Sequence, residues 1–297
     1  MKNVFILITV LAILSIPGTM LGARAFRYGE QNTVLGSVGR YTVKENESLY
    51  EIARTYKTGF NKIVAANRGV DPIIPGTGTR LILPTSWVLP DIILDRGIVI
   101  NISEMRLYYF FEKRGVHRVR TYPVGIGDQG ASTPVGKFKV VEKIENPSWR
   151  VPASIRKEHP ELPKVVPPGP DNPMGSHALR LSGGKILIHG TDVPWGIGKR
   201  VSHGCLRLYP EDIKELFSLV PINTPVTIIR QPVKAGLSRG NVYVEVNRDP
   251  ERKRYDYQGA AMDLLRKKGL SDRVSMEKLQ KAIREKKGYP VDVSLPK

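Results

Sequence analysis

Residues 188–208 read IHGTDVPWGIGKRVSHGCLRL. The stretch is framed by two β-prone runs, one ending at Ile188 and one spanning Cys205 to Leu208. Between them lies a turn-rich segment holding Pro194, Gly196 and Gly198. Runs of this kind, short and bounded by Gly and Pro, predict strands joined by a folded loop. Two strands lying side by side would carry His189, at the end of the first, to Cys205, at the start of the second. His203 stands two residues before Cys205, so on one strand both side chains would share a face.

Cys205 is the sole cysteine of the 297-residue chain, so an intrachain disulfide is ruled out. A single thiol in an exported protein is intermolecular, inert core packing, or reactive. A thiol attacks only as thiolate, and a nearby imidazole supplies the base. Gly190 follows His189 and Gly204 precedes Cys205; glycines there let backbone amides approach a substrate closely. Amides near Gly204 and Cys205 would face the oxyanion that forms when sulfur attacks an amide. Zinc ligation by His177, His189, His203 and Cys205 is the weaker reading, because the paired spacing of familiar zinc sites is missing. Ser202 lacks the Gly-x-Ser-x-Gly setting of a serine nucleophile.

Outward from this stretch, β-prone runs recur at Ile98–Asn101, Arg106–Phe111, Thr121–Val124, Val135–Val141, Lys185–Ile188 and Val226–Ile229, with one helix near Pro210–Leu219. The expected fold class is a mainly β, sandwich-like catalytic domain with helical insertions. A proline-dense segment, NPSWRVPASIRKEHPELPKVVPPGPDNPMG at 146–175, is long for a plain connection and reads as a lid over the site.

The N-terminus carries Lys2, an apolar run from Val4 to Ile16, then Ala23-Arg24-Ala25. That order reads as a secretory signal peptide at 1–25, with an uncleaved anchor as the alternative. Loss of Lys2 and Arg24 with the leader takes the formal charge from +18 to +16, a balance suited to a polyanionic partner; export argues against nucleic acid. After a polar linker at 29–40, residues 41–84 read strand, helix, helix, strand. Ser48-x-x-Glu51 is a capping box, Asn61 is placed to cap the second helix, and Arg80–Leu83 returns as a strand. This βααβ order, in YTVKENESLYEIARTYKTGFNKIVAANRGVDPIIPGTGTRLILP, resembles the LysM module, which binds N-acetylglucosamine-containing glycans such as peptidoglycan. Asn46-Glu47 stands where that module more often has Gly-Asp. Residues 249–297 are basic, with two helices near Ala260–Lys268 and Ser275–Lys286, expected to form a solvated helical tail.

His-Gly followed, after a spacer, by Ser-His-Gly-Cys and an arginine two residues on resembles the signature of the L,D-transpeptidase (YkuD-type) family. YPVGIGDQGASTPVGKF and VVPPGPDNPMGSHALRL are similar to it as well, giving a catalytic domain at 90–232 and a LysM module at 40–85. The resemblance implies that Cys205 is the nucleophile and His189 the base. It further implies that the Gly190 carbonyl orients the imidazole and that His203, Gly204 and Cys205 form the oxyanion region. Arg207 and Ser202 would shape the site or hold the stem peptide. The implied chemistry needs no cofactor: the cysteine attacks a peptidoglycan tetrapeptide stem, releases D-alanine and passes the acyl group to an amine. That amine belongs to a second stem or to the terminal lysine of an outer-membrane lipoprotein. The implied location is the periplasm, against the cell wall. Two alternatives stand beside this: an inert wall-binding scaffold, and an L,D-carboxypeptidase in which water resolves the acyl-enzyme. A papain-like or NlpC/P60 order would place cysteine before histidine, the reverse of this chain.

Overall fold

The structure, a computed structural model, describes residues 24–249, 251–252 and 254–296. The expected leader therefore lies almost wholly outside the described residues. The central element is a nine-stranded sheet. Its order is Phe26–Arg27, Val116–Pro123, Arg106–Lys113, Gly97–Asn101, Pro225–Ile229, Gly136–Glu145, His177–Leu181, Leu187–His189 and Leu206–Arg207. Neighbours are antiparallel except at two places: Pro225–Ile229 runs parallel to Gly97–Asn101, and Leu206–Arg207 parallel to Leu187–His189. A parallel neighbour needs a crossover, and the second crossover is the 190–205 stretch of the motif.

At its middle the sheet is buried on both faces, which is why Gly97–Asn101 reads as a near-continuous apolar run. One face packs Ile98, Ile100, Leu107, Val140, Ile188, Leu206 and Val226 with Ile213 and Leu216 of the helix Pro210–Leu219. The other packs Val99, Tyr108, Phe110 and Val119 with Leu35, Trp87 and Leu89.

Residues 29–40 are not a linker. Val34–Gly36 pairs with Ser86–Val88, and Gly39–Thr42 is already the first LysM strand. That strand pairs with Arg80–Leu83 over the helices Leu49–Thr55 and Phe60–Ala66, enclosing a small core of Val43, Leu49, Ile52, Ile63 and Leu81. The Ser48/Glu51 capping box forms as expected. The second helix, however, is entered through Gly59 at φ 85°, with no side-chain cap. Asn61 lies inside the helix and donates to the Glu104 carbonyl at 2.9 Å, so its amide serves docking instead of capping.

The C-terminal segment is also not a solvated appendage. Its helices Tyr257–Lys267 and Met276–Glu285 pack on a sheet of Val233–Ser238, Asn241–Val246 and Val291–Asp292. Val244, Leu265, Leu279 and Val293 fill the space between them. The unit thus begins near Val233, well before the basic stretch.

All three units meet at a buried square of charge. Lys62 of the LysM helix contacts Glu104 of the central domain and Glu245 of the C-terminal unit, and Lys234 contacts the same two carboxylates from the other side. All four are at most 1% exposed. Burial alone would push Glu245 up, but Lys234 and Lys62 outweigh it and hold its carboxyl well below the usual range. Tyr108, Asn247 and the carbonyls of Val88 and Gly288 take the remaining ammonium protons.

Candidate active site

The crossover delivers His189 and Cys205 to one place by register. Ile188 pairs with Leu206 and His189 with Arg207, and the Leu208 amide donates to the His189 carbonyl at 2.8 Å. Cys205 is therefore the residue immediately before the paired strand, level with Leu187 at the start of the histidine strand, with its side chain in the same cleft as His189. The strand imagined to carry both His203 and Cys205 does not exist. Arg200–Ser202 belongs to a separate pairing with Ile126–Gly127, and the chain changes sheets through Gly204 at φ 101°. That backbone is closed to most side-chain-bearing residues, so the alternation of a single strand does not apply, yet His203 and Cys205 both line the same cleft.

Ser202 is 3% exposed and its hydroxyl donates to the Cys205 carbonyl at 2.5 Å, closing the turn that holds the thiol. The Cys205 sulfur lies 4.0 Å from the Lys185 carbonyl. Arg207 is fixed by backbone bonds of 2.9 Å in both directions with Gly125. Gly190 and Gly175 touch backbone to backbone: a Cβ on Gly175 would lie 2.9 Å from the Gly190 Cα. That contact brings Met174 and its carbonyl against His189.

Met174, His189, Ser202, His203, Cys205 and Arg207 line a cleft of about 650 Å³. Its roof is the proline-dense segment, which is built and not merely a long loop. Trp149–Arg150 pairs with Val165–Val166 around the helix Ala153–Glu158, and Trp149, Arg150, Ile155 and His159 face the cleft. Asn172 is 1% exposed and pins the base: its amide donates to the carbonyls of Pro147, Val166 and Pro167, and its oxygen accepts from the Met174 amide. Asn172, Met174 and Arg180 were not singled out from the sequence. Arg180 follows His177 by three on the neighbouring strand, lines the cleft and is paired with Glu142 at 2.5 Å.

The electrostatics describe a neutral resting site. Burial, with the Arg207 charge nearby, lowers the His189 imidazole to about 4, although backbone groups of Gly190 and Met174 partly oppose this. Its Nδ1 is buried without a well-aligned hydrogen bond, although the backbone groups of Gly190 and Met174 lie close enough to act on it. Burial also pushes the Cys205 thiol up, against the pull of the Leu187 backbone, Arg207 and Arg180. At neutral pH the pair is imidazole and thiol. His177 is turned away, its ring against Phe217 and its Nδ1 on the Ser176 hydroxyl. Among the described residues, no three His, Cys, Asp or Glu side chains are grouped to hold a metal.

Residues 95–228 match the L,D-transpeptidase catalytic domain and residues 41–84 the LysM domain. The probable L,D-transpeptidase YcfS of Escherichia coli (strain K12) is 42% identical over 272 residues, covering 86% of this chain and 83% of its own. The chain belongs to the L,D-transpeptidase family. The probable L,D-transpeptidase ErfK/SrfK of Salmonella typhimurium is 36% identical, covering 89% of each chain. Among solved structures, the catalytic domain of an E. faecium L,D-transpeptidase aligns with 46% of this chain and 98% of its own, at 23% identity and a TM-score of 0.35. This chain is an enzyme of that class, a mainly β catalytic domain carrying a LysM module.

Proposed function

We propose that the enzyme acts on the peptidoglycan tetrapeptide stem through Cys205, with His189 as base. The observation that carries this reading is that the pairing of Leu187–His189 with Leu206–Arg207 sets His189 and Cys205 in the lining of one cleft beneath the proline-dense roof. The Cys205 sulfur attacks the carbonyl carbon of the bond to the terminal D-alanine while His189 takes the thiol proton. Amides around Gly204 and Cys205 hold the developing oxyanion, a contribution of a few kcal/mol per donor. The imidazolium then gives its proton to the departing D-alanine nitrogen, leaving a thioester. An incoming amine attacks the thioester, loses its proton to His189, and the proton returns to sulfur as the new amide is released. His203 and Ser202 shape the turn, and Arg207 and Arg180 supply positive charge that draws a carboxylate-bearing stem and favours the thiolate.

The roof favours an amine over water by limiting solvent in the cleft. The acceptor is either a second stem, giving a 3→3 cross-link, or the terminal lysine of an outer-membrane lipoprotein. The LysM module holds the glycan, and the apolar N-terminal run exports the protein to the periplasm, where both meet the wall. The deciding experiment is intact mass spectrometry after incubation with a disaccharide-tetrapeptide, alone and with a lysine-ended peptide, beside Cys205→Ala. A Cys205-dependent adduct with joined product supports transpeptidation. An adduct ending in free tripeptide makes it a carboxypeptidase, and tight binding without adduct makes it a scaffold.

A further inference from the structure

Away from the catalytic cleft, a second cleft of about 640 Å³ opens where the LysM and C-terminal units approach each other. Five cations line it: Arg68 from the end of the LysM helices, Arg248 and Arg252 from the connection after Val246, and Arg284 and Lys286 from the end of the helix Met276–Glu285. The only acid in its lining is Asp249. That carboxylate is already engaged, by the Arg230 guanidinium at 3.0 Å and the Ser103 hydroxyl at 2.8 Å.

The contrast with the rest of the molecule is informative. At the other joints between units the cations are matched: Arg54 and Lys57 with Glu211, Lys57 with Asp212, Lys62 and Lys234 with Glu104 and Glu245, Arg200 and Arg230 with Glu251. None of the five cleft cations has a salt bridge among the described residues. Two are instead held over rings, Lys286 over Tyr257 at 4.6 Å and Arg252 over Tyr255 at 5.2 Å. Arg68 donates to the Lys286 carbonyl. Lys286 itself takes φ 42° at the helix end, a left-handed position where glycine is the ordinary choice. The chain thus puts a cation where it costs backbone strain, and gathers like charges that repel unless an anion lies among them.

We infer that this cleft binds the carboxylates of a peptidoglycan stem peptide other than the one being acylated, an inference that rests on the peptidoglycan reading above. Five cations spread over three elements suit several carboxylates along an extended chain better than one compact phosphate. Arg68 follows directly from the LysM helices, so a strand held by that module passes its stems near this cleft. The cleft is also linked to the catalytic turn. Glu251, next to Arg252, bonds Ser132 at 2.7 Å and also bonds Arg200, and the carbonyls of Ala131 and Ser132 face Gly204.

The test is sedimentation of the full chain with purified peptidoglycan sacculi at low salt, comparing the wild type with Arg248→Ala/Arg284→Ala, on untreated sacculi and on sacculi with amidated carboxylates. The double variant should bind untreated sacculi about three- to tenfold more weakly, the scale of two partly exposed ion pairs. Amidation should weaken the wild type and erase the difference between the proteins. Equal binding of both proteins to untreated sacculi overturns the inference. So does a difference that survives amidation, or preferential binding of phosphatidylglycerol vesicles by the wild type. Acyl-adduct formation on soluble tetrapeptide, measured in parallel, should be the same in both proteins. Its absence would sink the catalytic reading while leaving the sacculus result to stand.

Discussion

Alkylation of Cys205 by iodoacetamide, followed against pH, separates two pictures of the resting enzyme. An ordinary thiol with a pKa near 8.5 is about 3% thiolate at pH 7. Cys205 is pushed above its usual value by burial, so its thiolate fraction at pH 7 is smaller still. His189, lowered to about 4, is uncharged throughout the neutral range and gives the sulfur no cationic partner. The alkylation rate should therefore climb about tenfold for each pH unit between pH 5 and 8, following the thiolate fraction alone. Arg207→Ala and Arg180→Ala should each slow the reaction at fixed pH, since both guanidiniums pull the thiol down. A rate that is flat from pH 5 to 8 would mean a preformed thiolate–imidazolium pair and would refute the neutral site. On the neutral picture the proton leaves sulfur only as the substrate carbonyl is attacked, and the stem peptide completes the charge arrangement.

Other perturbations test the frame around the site. Lys62→Ala leaves Glu104 and Glu245 sharing one lysine in a dry joint, and should cost about 3–5 kcal/mol in urea unfolding. Gly198→Ala places a Cβ 2.4 Å from the Phe60 amide nitrogen at φ 82°. It should loosen the LysM module by about 1–3 kcal/mol, read as faster limited proteolysis between the units. Asn172→Ala removes the bonds at the base of the roof and should raise the ratio of hydrolysed to transferred product while costing about 1–3 kcal/mol of stability. Buried His189 stays unprotonated until about pH 4, whereas the unfolded chain takes up that proton from about 6.5 downward. Its contribution to stability is thus present above pH 6.5 and lost as pH falls toward 4. Comparing wild type with His189→Gln isolates that slope, because Asp212, raised to about 6 by burial, titrates nearby with the opposite sign.

The middle of the sheet was legible because it is buried on both faces. Ile98–Asn101 and Val226–Ile229 are apolar runs preceded by Gly97 and Pro225, Arg106–Phe111 is a run of aromatics, and each is a strand within a residue or two. His177–Leu181 was missed because a histidine and an arginine break its pattern: Arg180 lines the catalytic cleft, while His177 packs on Phe217. The LysM order was readable from Ser48 and Glu51, whose cap is local. Asn61 was misread because its partner, the Glu104 carbonyl, is remote in sequence. The C-terminal segment looked like a solvated tail because its lysines and arginines outnumber its core residues. Leu265 on the first helix and Leu279 and Ala282 on the second nonetheless face one core with Val244, on a sheet whose strands were not foreseen. The motif itself gave the pair His189 and Cys205, but not their protonation, since burial depends on a roof that only the fold supplies.

The crossover between His189 and Cys205 has a second task. The LysM helices rest on it: Lys199 reaches the Tyr50 hydroxyl and lies over the Tyr50 and Phe60 rings, Trp195 meets Tyr50 edge-on, and the Phe60 amide donates to the Ile197 carbonyl. Arg106, buried, fastens the same module from beneath through the carbonyls of Lys57 and Thr58. A module meant only to tether an enzyme needs a flexible linker. Here residues 34–36 and 86–88 pair with each other in place of one, and the charge square closes the joint from the third side. The module and the catalytic cleft are therefore held at a fixed distance, and on the proposed function a glycan held by one would fix which stems can enter the other. Selection among stems would then follow from rigid geometry, with the 190–205 crossover as the shared part: displacing it moves both the module and the turn that carries Cys205.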